Sequence, residues 1–523
     1  MSTRTEPQPS TQTRPDRGWF GWALVGVAAG ALTLGVAEFI AGVMVRFGWI
    51  GGTGSPVLAV GETFIDHTPA WLKTFAVNVF GTADKVALLT GMAIVLTALA
   101  AGVGVLMARR PTAAFVAFVV LLAVALAAVL TRPGASGTDA VPTLLGGGLG
   151  LALLHACRAR LQPAADQVAP DRRTVLQLSA VSLVGAGIAA LAGQAVSGTT
   201  RAVAAARSAF KVPTPVSKVR IPADASVRVA GVVPFVVPAD QFYRIDTALS
   251  PPEVDPATWS LKVTGMVERE VTLTWAELIA KPLQEAVVTL MCVSNEVGGD
   301  LTGNAVWTGW PVRDLLALAG PKAGADMVLS TSTDGWTAGT PLTALTDGRN
   351  ALLAVGMNGE PLPVDHGFPV RMVVPGLYGY VSATKWVTEL KVTTYADDQG
   401  YWTPRGWSAK GPVKTGSRID VPADGATVSA GKVAVAGIAW RQHVGIKGVQ
   451  VRIDDGPWVD ARLAADATVD AWRQWVYEWD ASAGSHQIAV RATDGDGTVQ
   501  TSALAPPAPD GATGWHTINV TVT

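Results

Sequence analysis

The 523-residue chain is poor in the residues that build metal cages, disulfide scaffolds and nucleic-acid-binding surfaces. It has two cysteines, Cys157 and Cys292, and neither lies in a CxxC or CxxCH motif, which excludes zinc ribbons and covalently attached c-type haem. The two cysteines lie in unlike parts of the chain, so we expect no structural disulfide. The net charge is −1 and no Lys/Arg cluster is present, so we expect no nucleic-acid partner.

Long apolar stretches, by contrast, fill the first part of the chain. Five of them reach or approach the ~20 residues that a helix needs to cross a bilayer. They occupy residues 23–45, 86–107, 112–130, 141–157 and 175–196. One such run is often a buried core helix, but five in succession predict a bundle of about five transmembrane helices over residues 19–197, after a tail over residues 1–18. His155 is the only histidine in these stretches, so we expect no membrane haem.

Basic residues flank the apolar stretches unevenly, which predicts how the bundle is oriented. With the N-terminus inside, the inner side holds nine basic residues and the outer side holds four. The inner residues are Arg4, Arg14, Arg17, Arg109, Arg110, Arg158, Arg160, Arg172 and Arg173, and the outer residues are Arg46, Lys73, Lys85 and Arg132. Five crossings then place everything after residue 196 outside a plasma membrane. The segment that begins Asp171-Arg172-Arg173 resembles a twin-arginine export signal, although an arginine pair alone is more typical of cytoplasmic anchors.

The rest of the chain has the charged and aromatic mixture of a water-soluble protein. Residues 198–239 are rich in Ala, Pro and Val and predict a linker with an extended lead-in. Residues 240–412 contain short β-branched runs at 259–263, 286–291, 328–332 and 370–374, and short helical patterns at 275–279 and 312–319. Without a βαβ rhythm or a GxGxxG motif, this part is predicted to be a mixed α+β domain and not a Rossmann fold.

From residue 413 onward the pattern changes to strands alone, separated by Gly- and Asp-rich turns. This spacing predicts an antiparallel β-sandwich of immunoglobulin type over residues 413–523. Taken alone, such a sandwich is equally typical of a spacer or an adhesion module.

Cys292 follows an apolar run at residues 287–291 and opens a loop that contains Gly298 and Gly299. A thiolate is a soft ligand suited to a transition metal, and a bound cation keeps it deprotonated. A buried structural thiol is the ordinary alternative for a cysteine. A third interpretation is a nucleophile, which needs a general base, and His366 is the nearest candidate in the same domain.

Several segments resemble the sulfite oxidase family of molybdopterin-dependent oxidoreductases, and they follow the family's order. They are Phe242-Tyr243-Arg244, Cys292 with Asn295, GNAVWTG at residues 303–309, DHGFPVRMVVPG at residues 365–376, Lys385-Trp386, GIAW at residues 437–440 and DDGPW at residues 454–458. The resemblance covers residues 240–523. It implies a sulfite-oxidase-type molybdopterin domain followed by an immunoglobulin-like dimerisation domain.

The resemblance also implies roles for individual residues. Cys292 would be the protein ligand of molybdenum. The implied cofactor contacts are Phe242, Tyr243, Arg244, Asp246, Cys292, Asp334, His366, Arg371, Ser382, Thr384 and Lys385. Cations suit the phosphate end of a pterin cofactor, although Arg371 could instead pair with a carboxylate and Asp334 could be a simple turn former. The implied catalytic residues are Cys292, Arg244 as an oxyanion-stabilising cation, and Tyr401 as a substrate-pocket hydroxyl.

The implied function is that of an exported, membrane-anchored enzyme that transfers an oxygen atom at molybdenum. Its substrate would be sulfite, a related small oxyanion or a sulfoxide, its electrons would go to a separate carrier, and it would form a homodimer through the last domain. Glu296 and Val297 replace the family's arginine pair, which weakens the case for a sulfite dianion, and Asp246 replaces a histidine of animal relatives. The alternatives are a non-catalytic surface-binding module and a cysteine hydrolase.

Overall fold

The computed structural model describes residues 19–50, 54–69, 72, 75, 79–80, 84–161, 172–197 and 199–523. The predicted tail over residues 1–18 and Asp171 of the predicted export signal lie outside these residues. The chain divides into two compact units. The helical unit comprises Met1–His67 and Val79–Gly198, and the β-rich unit comprises Thr68–Asn78 and Thr199–Thr523.

The described part of the helical unit contains five long helices that coincide with the predicted apolar stretches, and one shorter helix that lies between the first two stretches. They are α1 (Trp19–Arg46), α2 (Pro56–His67), α3 (Asp84–Arg109), α4 (Pro111–Leu130), α5 (Ala140–Leu161) and α6 (Arg172–Ser197). Among the described residues, five helices (all of these except α2) are long and apolar enough to cross a membrane. The prediction of about five such helices is therefore confirmed in number and position.

Small residues set the spacing of the helices around α1. Gly26 of α1 faces Gly104 of α3, and Gly35 of α1 faces Ala186 of α6. A Cβ atom on either α1 glycine would overlap the backbone of the facing helix. Close backbone approach at small residues is how helices pack where water provides no driving force.

The β-rich unit begins with a helix where the sequence predicted a linker. Helix α7 (Thr199–Ala209) occupies the start of residues 198–239, and Arg207 Nε donates a hydrogen bond to the Leu362 carbonyl at 2.7 Å. Farther along, Phe235 and Val237 are buried in the core of the unit. The segment predicted to be a linker with an extended lead-in therefore contains a helix at its start and buried side chains near its end.

Two sheets form the mixed α+β domain that follows. One sheet has the strand order β2-β1-β10-β5-β6, and the other has the order β3-β4-β7-β8 with β9 paired to β7. The strands are β1 (Ser260–Gly265), β2 (Val271–Thr274), β3 (Gln284–Met291), β4 (Thr302–Pro311), β5 (Met327–Ser332), β6 (Thr337–Pro341), β7 (Leu352–Met357), β8 (Glu360–Pro361), β9 (Arg371–Val373) and β10 (Val387–Thr393). The helices are α8 (Trp275–Ile279), α9 (Val312–Ala319) and α10 (Leu342–Thr346).

Local sequence explains why the short helices begin and end where they do. Thr274 caps α8: its N–H donates to Glu277 Oε2 at 2.8 Å, and its hydroxyl accepts the Glu277 N–H at 3.4 Å. This reciprocal pair is the capping box that starts many helices. Helix α9 ends at Gly320, whose φ of 70° suits glycine.

The last part of the chain is a sandwich of two sheets with an apolar core between them. The sheet orders are β11-β13-β17-β16 and β12-β19-β18-β14-β15. The strands are β11 (Gly416–Val421), β12 (Thr427–Val428), β13 (Gly431–Trp440), β14 (Ile446–Ile453), β15 (Val459–Asp460), β16 (Arg462–Leu463), β17 (Arg473–Ala481), β18 (Gly484–Asp494) and β19 (His516–Val522). The predicted immunoglobulin-like β-sandwich is confirmed.

The sandwich also contributes to the core of the α+β domain. Ile438, Trp440, Ala471 and Trp472 are buried in the same apolar cluster as the strands of that domain. Residue 413, the predicted domain boundary, marks the change to the sandwich architecture, and these four sandwich residues join the α+β core while the sandwich keeps a second core of its own.

Candidate active site

Cys292 follows an edge strand and lies in a loop whose residues are hydrogen-bonded to one another. It directly follows β3, and its N–H donates to the Leu301 carbonyl at 2.9 Å. Asn295 closes the loop, because its N–H donates to the Cys292 carbonyl at 3.1 Å and its Oδ1 accepts the Leu301 N–H at 2.8 Å. The thiol is partly exposed. Burial raises the pKa of Cys292, and hydrogen bonds with Ser294 act in the opposite direction.

Two stacked aromatic rings lie beside this loop. The rings of Phe242 and Tyr243 stack with centroids 5.3 Å apart, and Phe242 meets the rings of Trp307 at 5.8 Å and His366 at 5.6 Å edge-on. Burial raises the pKa of Tyr243, and the nearby Cys292 raises it further. The stacked rings therefore connect the cysteine loop to the DHGFPVR segment.

His366 is buried and uncharged. Its Nε2 lies 3.0 Å from the Ala239 carbonyl oxygen, which can only accept, so Nε2 carries the proton and Nδ1 remains an acceptor. Burial and the charge of Arg371 lower the pKa of His366 to about 4. At neutral pH the ring is therefore a neutral hydrogen-bonding group.

Arg371 is a buried cation whose described partners are all uncharged. It is 5% exposed, its guanidinium lies 4.9 Å from the centre of the Trp307 ring, and it donates to the carbonyl oxygens of His366 at 3.1 Å and Met372 at 3.4 Å. Burial lowers the pKa of Arg371 to about 10, which still leaves it charged at neutral pH. In the part of the chain that the structure describes, no carboxylate lies within 4 Å of it. An uncompensated buried charge is costly, so this position suits an anionic ligand.

A second group of charges lies around Asp246. Its Oδ2 lies 2.5 Å from Lys385 Nζ and 3.2 Å from Arg244 Nε. Arg244 also reaches Asp365 Oδ2 at 3.9 Å, and Lys385 donates to the Asp365 carbonyl at 3.0 Å. Arg244 is 33% exposed, so it keeps surface from which to contact a ligand.

Three further predicted residues, Ser382, Thr384 and Asp334, bond to other parts of the domain. Ser382 and Thr384 are fully buried, and their hydroxyls bond to the Tyr378 carbonyl at 2.9 Å and to Ser330 Oγ at 2.6 Å. Asp334 Oδ1 accepts the Trp336 N–H at 3.1 Å, which makes it the turn former named as its alternative role. In this structure these side chains bond to protein groups.

Tyr401 contacts residues other than those described so far. Its N–H donates to the Thr337 carbonyl at 3.0 Å, beside β6. The Arg405 guanidinium lies 3.7 Å from the centre of its ring, and the Trp402 ring meets it edge-on at 5.1 Å. The other predicted residues gather around Phe242 and Lys385.

The side chains of the site suit a metal ion that receives most of its ligands from an organic cofactor and few from the protein. Among the described residues, no group of three or more His, Cys, Asp and Glu side chains could hold a metal ion. A single partly exposed thiol and a buried cation instead suit an organic dithiolene cofactor with an anionic end.

Two residues of the site were absent from the sequence prediction. Asp365 provides a second carboxylate to the group of charges around Asp246. The ring of Trp307 lies against the Arg371 guanidinium. Both lie inside the segments on which the resemblance rests, and that was the only signal for them.

Known families match two parts of the chain. The oxidoreductase molybdopterin binding domain matches residues 248–402, and a bacterial Ig domain matches residues 417–490. The uncharacterized oxidoreductase YuiH of Bacillus subtilis is 34% identical over 157 residues, which cover 30% of this chain and 76% of that protein.

Sulfite oxidases are similar over a longer region. The mitochondrial sulfite oxidase of Mus musculus is 30% identical over 305 residues, or 49% of this chain and 55% of that protein. The sulfite oxidase of Gallus gallus is 29% identical over 326 residues, or 52% and 69%. The chain thus spans about half the length of the mammalian relatives it matches. Among solved structures, the sulfane dehydrogenase SoxCD of Paracoccus pantotrophus matches 58% of this chain and 86% of that one, with 22% identity and a TM-score of 0.48.

Proposed function

Because this chain belongs to the sulfite oxidase family of molybdopterin-dependent oxidoreductases, we propose that it transfers an oxygen atom at a molybdenum ion bound by Cys292. One observation carries the proposal. The partly exposed thiol at the end of β3 and the buried cation Arg371, which has no described carboxylate partner, belong to one connected group of side chains. A thiolate ligand and a counter-charge are what a molybdenum–pterin cofactor needs from a protein.

The described contacts assign the proposed holding roles. Arg371 and Lys385 supply positive charge to the anionic end of the cofactor, and His366 offers Nδ1 as an acceptor to its N–H groups. Phe242 and Tyr243 form an apolar wall between these groups and Cys292. When bound, the cofactor would supply the oxygen-atom transfer, accepting two electrons from an oxygen acceptor such as sulfite or donating two electrons to an oxygen donor such as a sulfoxide. The protein supplies charge, shape and exclusion of water.

The substrate is proposed to be sulfite, a related small oxyanion or a sulfoxide, bound with help from Arg244. Arg244 is partly exposed, so its remaining N–H groups can donate to an oxyanion although Asp246 offsets part of its charge. Glu296 is exposed in the loop that follows Cys292, and a carboxylate there disfavours a doubly charged anion. Tyr401 is retained as a proposed substrate-pocket hydroxyl.

Assays of membranes with sulfite and with sulfoxides, using an artificial one-electron dye, test the substrate class. We expect turnover of sulfite to fall strongly in Arg244→Gln and to stay unchanged in Arg269→Gln, an exposed arginine that bonds the Leu318 carbonyl. Turnover of sulfoxides alone would identify an uncharged substrate. Absence of both activities in metal-loaded protein would contradict this substrate assignment.

The helical unit is proposed to anchor the enzyme with its catalytic part outside the plasma membrane. Five apolar helices and the uneven distribution of basic residues support this orientation. A membrane-impermeant maleimide should label Thr427→Cys, an exposed position of the sandwich, in intact cells, and should label Thr5→Cys only after lysis. The reverse pattern would overturn the orientation.

Two partners complete the proposal. A separate one-electron carrier would accept electrons from the enzyme after sulfite oxidation or donate them for sulfoxide reduction, and a second copy of the chain would bind through the immunoglobulin-like domain. Sedimentation of the purified protein in detergent tests the second point, since a single monomeric species at micromolar concentration would exclude a stable dimer.

A further inference from the structure

The strand that carries Cys292 lies at an edge of its sheet. The order β3-β4-β7-β8 leaves one side of β3 without a strand partner. Such an edge exposes N–H and C=O groups that other segments can bind. Near its start, the edge of β3 is covered by the lead-in, because Ser217 pairs with Gln284 and the Glu285 N–H donates to the Ser217 carbonyl at 2.8 Å.

Nearer Cys292, the same edge is covered by the immunoglobulin-like domain at Thr289. The Thr289 N–H donates to the Asp470 carbonyl at 3.0 Å, and the Thr289 carbonyl accepts from Gln442 Nε2 at 3.2 Å. Both backbone groups of this residue are therefore bonded to the sandwich.

The Thr289 side chain adds two more bonds in the same place. Its Oγ1 donates to Asn304 Oδ1 at 2.9 Å, inside the sheet, and accepts the Trp472 N–H at 2.7 Å, from the sandwich. Thr289 is 2% exposed, so each of these bonds is shielded from water. A buried hydroxyl that both donates and accepts leaves the strand little freedom to shift.

The sandwich groups that bind Thr289 are themselves fixed. Trp472 is buried in the shared core, and the carboxylate of Asp470 lies 3.2 Å from His443 Nδ1 and 3.4 Å from Asn350 Nδ2. The anchor is therefore a rigid part of the sandwich.

The sandwich also contacts the loop on the other side of Cys292. Arg418 donates to the Gly299 carbonyl at 2.8 Å, and the ring of His516 packs against Gly298. The immunoglobulin-like domain thus holds both the strand that precedes Cys292 and the loop that follows it.

We propose that Thr289 is a positioning residue, through which the immunoglobulin-like domain completes the open edge of β3 and fixes the Cys292 thiol. The domain is then part of the active-site scaffold in addition to any role in dimerisation. The proposal rests on the proposed function in so far as Cys292 is the metal ligand. A metal-binding site tolerates displacement of its ligands by only about 0.5 Å. A shift of β3 by less than a bond length would therefore disturb the position of the Cys292 thiol.

The direct test measures the reactivity of Cys292 in the full-length, cofactor-free protein. Iodoacetamide labelling is followed by mass spectrometry of the peptide that contains Cys292, so labelling of Cys157 does not interfere. Thr289→Val removes the hydroxyl at nearly constant volume, and we expect it to speed labelling of Cys292 about tenfold, because both hydrogen bonds of the hydroxyl are lost. Thr289→Ser keeps the hydroxyl and should restore the original rate.

Thr308→Val is the matched control. Thr308 is 1% exposed and lies on β4 of the same sheet, where it pairs with Glu285 at the far end of β3. We expect Cys292 of this variant to be labelled at the original rate even if its melting temperature falls as much as that of Thr289→Val.

Gln442→Leu should also speed labelling of Cys292. Combining it with Thr289→Val should give less than the product of the two effects, because both substitutions loosen the contact between Thr289 and the sandwich.

A second readout uses the loaded protein. The paramagnetic resonance spectrum of the one-electron-reduced metal depends on the orientation of its thiolate ligand, so we expect it to shift in Thr289→Val and not in Thr308→Val. Unchanged labelling and an unchanged spectrum in Thr289→Val would overturn the positioning role, as would equal acceleration by Thr308→Val. An unchanged sulfur shell around the metal in Cys292→Ser would refute the proposed function instead, so the failure of the positioning role and the failure of the proposed function give different results.

Discussion

Lys385 and Asp246 form an ion pair in the candidate site, with Nζ and Oδ2 2.5 Å apart and with side chains that are 10% and 5% exposed. The same carboxylate oxygen lies 3.2 Å from Arg244 Nε. One buried carboxylate therefore compensates two cations that the sequence assigned to the cofactor.

Asp246→Asn is expected to destabilise the cofactor-free protein, because it removes the buried carboxylate that pairs with Lys385. Removing one partner of a buried pair costs about 3–5 kcal/mol, which lowers the melting temperature by several degrees. The control is Asp480→Asn, whose pair with Lys432 is exposed on both sides and is worth less than about 1 kcal/mol. Similar shifts in the two variants would show that burial of the Asp246 pair is unimportant.

Arg371→Met is expected to separate stability from cofactor binding. Removing a buried cation that lacks a described carboxylate should leave the melting temperature of cofactor-free protein unchanged or raise it. Cofactor content after purification should fall at least about tenfold, since charge-assisted bonds to the anionic end are lost. Molybdenum and pterin analysis gives the second quantity. Full cofactor content in this variant would remove Arg371 from the binding site.

Gly303→Ala is expected to displace the aromatic wall. A Cβ atom at this position of β4 would lie 2.6 Å from the Phe242 ring, so the ring must move away from Tyr243 and His366. We expect reduced cofactor content with modest loss of stability. Gly348→Ala is the control, because a Cβ there meets no atom within 4 Å. Equal cofactor content in the two variants would contradict a role for the Phe242 wall.

The buried His366 should make the cofactor-free protein sensitive to acid. Its folded pKa of about 4 lies below the ordinary 6.5, so the unfolded chain binds this proton first as the pH falls. Its contribution to the free energy of unfolding is complete above pH 6.5 and is lost between pH 6.5 and about 4, with about 2 kcal/mol gone at pH 5. Melting temperatures at pH 7.5 and pH 5 should therefore differ more for wild type than for His366→Gln. Parallel shifts would contradict this assignment.

Much of the fold could be predicted because its signals are local. Apolar length alone located α1 and the other long helices, and β-branched runs between turn residues located β1, β3, β5 and β9. The helix at the start of residues 198–239 and the burial of Phe235 and Val237 were not predicted, because Pro- and Ala-rich composition does not show whether a segment packs against a partner surface. That depends on tertiary contacts.

The sequence predicted which residues belong to the site, but it did not predict which of them contact one another. The cations at Arg244 and Lys385 were expected, but their shared carboxylate brings together residues 139 positions apart. The contact of Thr289 with Trp472 spans 183 positions and has no local signal in the sequence.

The central claim is that the sulfur of Cys292 binds molybdenum, and X-ray absorption at the molybdenum edge tests it most directly. In the wild-type protein we expect the sulfur ligands of the cofactor dithiolene plus one more sulfur at thiolate distance. In Cys292→Ser we expect that additional sulfur to be missing from whatever metal is retained. An unchanged sulfur shell in Cys292→Ser, or wild-type protein purified with pterin and metal but without the additional sulfur, would contradict the claim.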